Sequence, residues 1–392
     1  MSQITYLING RVVTPRKLIE PGYVAFAAGQ ITAVGPMEEL QPPMGAEVID
    51  VADRLVLPGL IDLHTHGYGG IDVETMDRQQ FLDLAQHMVS LGVTAFLPTL
   101  SATDLKTMYE RAELVRWIQG QAHNGANVLG IYFEAPYMNP VYRGAQALEH
   151  VRDPLPAEYL PLFDTCGDVL RIVLIAPELP GAMDFIRECV RREIVPALGH
   201  CQPSYEVAKE AINAGADHLV HAFNAVPDFK KRDPGVIGAF LNSDHVYLEV
   251  ISDGHHLHRA AVELLYKFKG PDWLILVSDS APLTGLPDGI YRGFGQEIEL
   301  RGFRATLAGR PDVLAGSASG LNRCLQFAVE EVGIPLVQAV QMATSTPAKR
   351  LKLTRKGRLE PGLDADLVVL NPDYSAALTF VGGQERYRQW GG

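Results

Sequence analysis

Cysteine is scarce in this chain: only Cys166, Cys189, Cys201 and Cys324 occur in 392 residues, and no two of them form a CxxC pair. That spacing argues against a disulfide framework and fits reduced, buried thiols. Basic residues are also short, with 34 Lys and Arg against 46 Asp and Glu, a net charge of −12. This balance excludes a body that binds nucleic acid through a basic face. No apolar run approaches about 18 uninterrupted residues, so no membrane partner is expected. The first thirty residues lack the basic start, apolar stretch and cleavage site of a secretory leader, so the expected location is cytoplasmic. What remains is an ordinary globular composition, 47% hydrophobic and 20% charged. The chain is too long for a single core, which predicts one large domain and a smaller one.

The first 55 residues carry short strand patterns at Thr5–Leu7, Arg11–Val13, Tyr23–Ala27, Ile31–Val34 and Glu47–Asp50. The breakers Asn9-Gly10, Pro21-Gly22 and Ala28-Gly29 between them predict an antiparallel meander. The same grammar returns after Gly357, with Pro361-Gly362 and the apolar stretch Ala365–Leu370. The two ends, residues 1–55 and 355–392, are expected to pair into one small β-domain around a body of residues 56–354. Within the body, apolar runs occur at Leu60–Leu63, Val93–Leu97, Val128–Phe133, Leu170–Ile175, Ile194–Leu198, His218–Val220, Val246–Val250 and Leu274–Val277. Amphipathic segments lie between or after them at Gln79–Leu91, Leu105–Gln119, Met183–Arg192, Tyr205–Ala214, Arg259–Lys267 and Leu321–Glu331. Alternation of this kind predicts an α/β fold, a (β/α)8 TIM barrel.

A barrel of that type builds its active site where the strands end. Here the apolar runs are followed by His64 and His66, by Glu134, by His200, by His221 with Asn224, by Asp253 to His256, and by Asp279. A lone histidine is more often a surface or core residue than a ligand, and a carboxylate at a strand end often caps the next helix. Six strand ends of this type in one chain point instead to a divalent cation. Imidazole and carboxylate suit zinc or ferrous iron, whereas calcium or magnesium would call for oxygen donors.

The segment Pro58-Gly59-Leu60-Ile61-Asp62-Leu63-His64-Thr65-His66-Gly67 resembles the opening metal motif of the amidohydrolase superfamily. Those are barrel enzymes that hydrolyse amides and related bonds at one or two divalent metals and carry a small β-sandwich made from both chain ends. Glu134-Ala135-Pro136-Tyr137-Met138-Asn139-Pro140, Gly199-His200-Cys201, His221-Ala222-Phe223-Asn224-Ala225-Val226, Asp253-Gly254-His255-His256 and Val277-Ser278-Asp279 follow in the order seen in N-acetylglucosamine-6-phosphate deacetylases. The tail Gly357–Leu367 is similar as well.

The resemblance implies a principal metal at Glu134, His200 and His221, a second cation at His64 and His66, and Asp279 as general base and acid that also touches metal. It implies that His256 stabilises charge on the substrate carbonyl, and that Asn224, the Ala225 backbone and Arg232 hold a sugar phosphate. Arg232 would reach the neighbouring subunit's site, which implies a homodimer. Ala145 and Gln146 would face the substrate, and Leu314, Ala315 and Gly316 would pack near its acetyl group. Two positions depart from the family pattern: Ala135 replaces a glycine, and Gln146 replaces a histidine that approaches the substrate. The implied reaction is removal of the acetyl group from N-acetylglucosamine 6-phosphate. Its rivals are deacetylation of a related phosphorylated amino sugar, hydrolysis of another N-acyl or cyclic amide, and a non-catalytic barrel with a structural or regulatory role.

Overall fold

The computed structural model describes residues 3–293 and 296–390. Parallel strands Leu60–Thr65, Val93–Leu100, Ile131–Phe133, Leu170–Ile175, Val195–Leu198, His218–Leu219, Tyr247–Val250 and Leu274–Leu276 pair in chain order. The ring closes between the first strand and the residues after the eighth. There Thr65 bridges Ser280, His66 N donates to Ser280 O at 2.9 Å, and Asp279 N donates to His64 O at 2.9 Å. The closing seam thus runs through three of the residues that the sequence singles out.

Side-chain alternation along the strands divides the core in two. Ile61, Leu63, Ile172, Leu174, Ile275 and Val277 fill the barrel interior, while Leu60, Val173, Ile175, Leu274 and Leu276 face the surrounding helices. His218 and Glu249 share the parity of the interior residues Val220, Tyr247 and Ile251, and both are completely buried. The helices Arg78–Ser90, Leu105–Gln119, Ala182–Arg191, Tyr205–Ala214, Arg259–Lys269 and Leu321–Glu330 fall on the six expected segments. Side chains of Asp77, Asp104 and Ser204 start three of them by accepting an otherwise unpaired backbone N–H. Helices at Pro156–Cys166, Gly235–Leu241, Leu336–Ala343 and Ser345–Arg350 add to that set. The run expected as one strand over 128–133 breaks at Gly130, whose φ is +139° and where a Cβ would lie 2.4 Å from Val169 O.

The chain ends form one mixed sheet in the order Gln384–Arg388, Ala376–Val381, Leu367–Leu370, Leu55–Pro58, Thr5–Val13, Leu18–Ala27, Gln30–Pro36, with Glu47–Asp50 also on Thr5–Val13. Phe26 and Phe380 lie on strands well apart in that order, yet their rings meet edge to face at 5.1 Å. The sheet therefore folds over itself as a β-sandwich, enclosing Leu7, Val24, Val56, Leu367, Val369 and Leu378. The expected antiparallel meander needs correction, because Thr5–Val13 pairs in parallel with both Glu47–Asp50 and Leu55–Pro58. Asn9-Gly10 is a bulge inside one strand rather than a turn, with Asn9 at φ 57°. Pro21-Gly22 likewise lies within Leu18–Ala27. Ala28-Gly29 is a turn, with φ of 49° and 80°, as a tight two-residue hairpin requires.

After the eighth barrel strand the chain builds an unforeseen antiparallel sheet of Gly289–Gly293, Gln296–Arg301, Arg304–Leu307 and Arg310–Leu314. Ile298, Leu300 and Ala305 pack it onto Ala281, Leu283 and Ala315 at the barrel mouth. No helix among the described residues is long and apolar enough to cross a membrane.

Phe380 is buried against Phe26 far from the strand ends. Phe380→Ala is expected to destabilise the protein by about 3–5 kcal/mol through the cavity it leaves, with bound metal per chain unchanged. Denaturant unfolding and metal analysis of the same preparation check both halves, and an unshifted midpoint would contradict the sandwich contact.

Candidate functional site

The ends of the first, third, fifth, sixth and eighth strands bring His64, His66, Glu134, His200, His221 and Asp279 together, all of them buried. Their ligand atoms form two groups, His64 with His66 and Asp279, and Glu134 with His200 and His221. Glu134 Oε1 lies 3.1 Å from His200 Nε2 and 2.9 Å from His221 Nε2, while its Oε2 lies 3.2 Å from His66 Nε2. One carboxylate thus joins the two groups. Asp279 Oδ1 stands 3.3 Å from His66 Nε2 and 3.5 Å from His64 Nε2.

These spacings fit cations. Two donor atoms at about 2.1 Å from a tetrahedral ion lie about 3.4 Å from each other. The pairs His64 Nε2–His66 Nε2 at 3.3 Å and His200 Nε2–His221 Nε2 at 3.1 Å match that pattern. The other ring nitrogens are committed elsewhere: His200 Nδ1 to Tyr142 O at 2.8 Å, His64 Nδ1 to Glu249 Oε2 at 2.9 Å and His66 Nδ1 to Ser101 Oγ at 3.1 Å. A carbonyl or carboxylate on Nδ1 fixes the tautomer, so that Nε2 of His200 and of His64 keeps its lone pair for a ligand. His221 Nδ1 is a buried ring nitrogen without a hydrogen-bond partner among the described residues.

The electrostatics point the same way. Burial disfavours an imidazolium at His64, yet Asp279, Glu249 and Glu134 push its pKa up to about 9. His66 is likewise opposed by burial and drawn to about 10 by Asp279 and Glu134. The site has a field that calls for positive charge at its centre.

Backbone strain concentrates at the same place. His200, His221, Phe223, Ala225 and Asp279 all have positive φ, between 24° and 73°, a conformation that costs a non-glycine residue about 1–3 kcal/mol. Such strain persists where the surrounding structure over-determines the backbone, and here it aims the ligands inward. Gly199 allows the approach before His200, since a Cβ there would meet Val220 Cβ at 2.8 Å.

Above the ligands lies a cavity of about 190 Å3 lined by Ala145, Gln146, Asn224, Ala225, His256, Asp279, Leu314 and Gly316 together with the metal groups. Larger hollows of about 380 Å3 beside Lys349 and of about 650 Å3 beside Trp117 lie away from every ligand, so size does not mark the site. Ala315 is fully buried beneath the rim. Arg232 is exposed and does not line the cavity of its own chain. Cys201, next to His200, packs into the apolar core. His256 Nδ1 is held by Asp253 Oδ2 at 2.8 Å, which leaves Nε2 for a ligand. Burial opposes ionisation of Asp253, but the bond and charge of His256 hold it at about 2.

Gln146 is explained by its contacts. Its Oε1 accepts from Ala102 N at 2.6 Å and its Nε2 donates to Glu134 Oε2 at 2.6 Å, so the amide clamps the carboxylate that joins the two groups. Glu249 and His218 are two further residues of the site that the strand-end pattern does not reveal. Glu249 Oε1 meets His218 Nε2 at 2.9 Å, while its Oε2 holds His64. The available signal was a charged residue at an inward position of an apolar strand, where an unpaired charge would be too costly.

The amidohydrolase family model matches residues 55–386. The chain is 33% identical over 378 residues to N-acetylglucosamine-6-phosphate deacetylase of Bacillus subtilis, covering 95% of this chain and 94% of that one. It is 32% identical to N-acetylgalactosamine-6-phosphate deacetylase of Escherichia coli O157:H7, covering 97% and 99%. The solved structure of N-acetylglucosamine-6-phosphate deacetylase from Pasteurella multocida superposes with TM-score 0.91 at 28% identity, over 97% of this chain and 99% of that one. With matches of this extent to a metal-dependent hydrolase fold, and with ligand groups built as such a hydrolase needs, the chain belongs to the amidohydrolase family.

Proposed function

We propose that the protein hydrolyses the N-acetyl group of N-acetylglucosamine 6-phosphate, giving glucosamine 6-phosphate and acetate. The observation that carries this reading is the pair of buried ligand groups joined by Glu134 under a cavity that also takes in Asp279 and His256. The barrel body carries the chemistry, and its boundary, expected at residue 56, moves to follow Pro58, because Leu55–Pro58 pairs within the sheet of the chain ends. Glu134, His200 and His221 hold the principal cation, and His64, His66 and Asp279 a second. The nitrogen and oxygen donors suit zinc or ferrous iron. When bound, such a cation polarises a carbonyl and lowers the pKa of water toward about 7.

Asp279 takes the proton from the attacking water and delivers it to the departing amine. Burial opposes ionisation of its carboxyl, but in the metal-free site His64 and His66 hold it below the ordinary range, and a bound cation would supply the same positive charge when they ligate. Burial opposes protonation of His256, but the bond and charge of Asp253 raise its pKa, and the imidazolium, with Nδ1–H tied to Asp253, donates its Nε2–H to the carbonyl oxygen as negative charge develops there. Leu314, Ala315 and Gly316 bound the space for the acetyl group, with Ala145 and Gln146 on the cavity wall.

Asn224, the Ala225 backbone and Arg232 take the phosphate, whose oxygens match the forked donors of a guanidinium. Arg232 is exposed and stands outside the lining of its own chain's cavity, and the reading, which rests on the family resemblance, is that it reaches the partner's cavity in a homodimer.

A second reading, N-acetylgalactosamine 6-phosphate as substrate, is favoured by the equally extensive match to a deacetylase so named. Acetate release from the two phosphorylated sugars and from free N-acetylglucosamine, after loading with zinc or iron, decides between them. A higher kcat/KM for the galacto epimer transfers the assignment, and no release from any of them refutes it.

Asp279→Asn is expected to lower kcat by on the order of 10² or more, with the principal cation at Glu134, His200 and His221 retained. Arg232→Ala should raise KM for phosphorylated substrate far more than for the free sugar, and equal effects on the two would count against a phosphate contact. Chelation should lower the melting temperature, because a ligand bound only by the folded state stabilises it. Rebinding should release protons, since His64 and His66, held at about 9 and 10, must deprotonate to ligate. A weakly buffered titration with an indicator dye reads that release.

A further inference from the structure

A charged pair at the base of the barrel is joined to the metal ligands by an unbroken line of hydrogen bonds through the barrel interior. Asp217, just before the sixth strand, accepts from Arg350 Nη2 at 2.6 Å, and Arg350 Nε donates to His218 Nδ1 at 3.2 Å. His218 Nε2 meets Glu249 Oε1 at 2.9 Å, and Glu249 Oε2 meets His64 Nδ1 at 2.9 Å. His64 Nε2 then faces Glu134 and Asp279, each at 3.5 Å. The Asp217 side chain is 37% exposed and that of Arg350 is 11% exposed, while His218, Glu249 and His64 are completely buried. The line therefore runs from solvent at one end of the barrel to the ligand cluster at the other.

The chemistry of its outer member gives the line a direction. A guanidinium only donates and stays protonated, so Nδ1 of His218 must accept. The proton of His218 then sits on Nε2 and is donated to Glu249. With one oxygen filled from that side, Glu249 accepts from His64 Nδ1 through the other. His64 is thereby left with its lone pair on Nε2, the nitrogen that faces Asp279 and His66. Without the Arg350 donor, His218 is free to carry its proton on Nδ1 and to accept through Nε2. The direction of the hydrogen bonds at Glu249, and through it at His64 Nδ1, would then no longer be set from outside the site.

We propose that Arg350 is a positioning residue that, through His218 and Glu249, fixes His64 in the tautomer that ligates the second cation. The inference rests on the reading of His64, His66 and Asp279 as a second cation site.

The test uses the full chain loaded with zinc. Arg350→Met keeps a stem of similar length beside the Tyr247 ring, over which the guanidinium stacks at 5.0 Å, and removes every donor. The expected result is a wild-type ratio of two zinc ions per chain. In Arg350→Met one ion remains tight and the other is weakened by about 10–100-fold, as is usual when the support behind a ligand is removed. Chelator competition reads both affinities, and Arg350→Lys, which retains one donor, should recover part of the loss. Two ions held equally well in Arg350→Met, with only the melting temperature lowered, overturn the inference and leave the two-cation reading standing. A wild-type ratio of one overturns both. A second measurement needs no variant to fold: nitrogen NMR of labelled histidines in the zinc-loaded wild type should find His218 protonated on Nε2 alone, and a proton on Nδ1 overturns the proposal.

Discussion

Three carboxylates, Glu134, Glu249 and Asp279, are buried together at and just below the barrel mouth. The constraint they impose organises everything around them. An ionised carboxylate removed from water is costly unless positive charge and hydrogen bonds compensate it. The compensation comes from imidazoles, each of which faces the cluster with one nitrogen while, in His64, His66 and His200, the other nitrogen is tied to Glu249, Ser101 or Tyr142. A site of this kind is stable in two forms, with protons on the histidines or with cations between them, and only the second does chemistry.

The barrel is what makes that arrangement attainable for the backbone. Its strands end in a ring, so residues more than 200 positions apart in sequence, such as Thr65 and Ser280, pair directly. The seam hydrogen bonds from Asp279 N to His64 O and from His66 N to Ser280 O put these three candidate site residues in fixed register. The left-handed backbone at His200, His221 and Asp279 is then held by the two flanking strands rather than by local preference. The antiparallel sheet ending in Arg310–Leu314 brings Leu314, and just after it Gly316, to the cavity wall, where they shape the space rather than supply charge.

Much of this was legible because barrel folds place chemistry at strand ends in chain order. His64, His66, Glu134, His200, His221 and Asp279 each follow an apolar run, and each comes to the cluster. The residues that were not legible share a physical cause. His218 and Glu249 sit inside runs read as apolar, and Arg350 sits in a short helix after the barrel; each gains its meaning only from a partner distant in sequence. The strand Gln296–Arg301 alternates charged and apolar residues, Glu297-Ile298-Glu299-Leu300-Arg301, a pattern of period two that does mark a half-buried strand. Asn9-Gly10 misled in the other direction, because a turn dipeptide also suits a bulge when the strand on either side stays paired.

The sequence by itself determined the fold class, the ligand types and their order, because hydrophobic period and residue chemistry are local properties of the chain. Only the tertiary structure decided which oxygen of Glu134 serves which group, that Gln146 clamps that carboxylate, and how Glu249 and Arg350 stand behind His64. Those are matters of distance and direction between residues far apart along the chain. They are set by barrel closure and by the need to pair every buried charge.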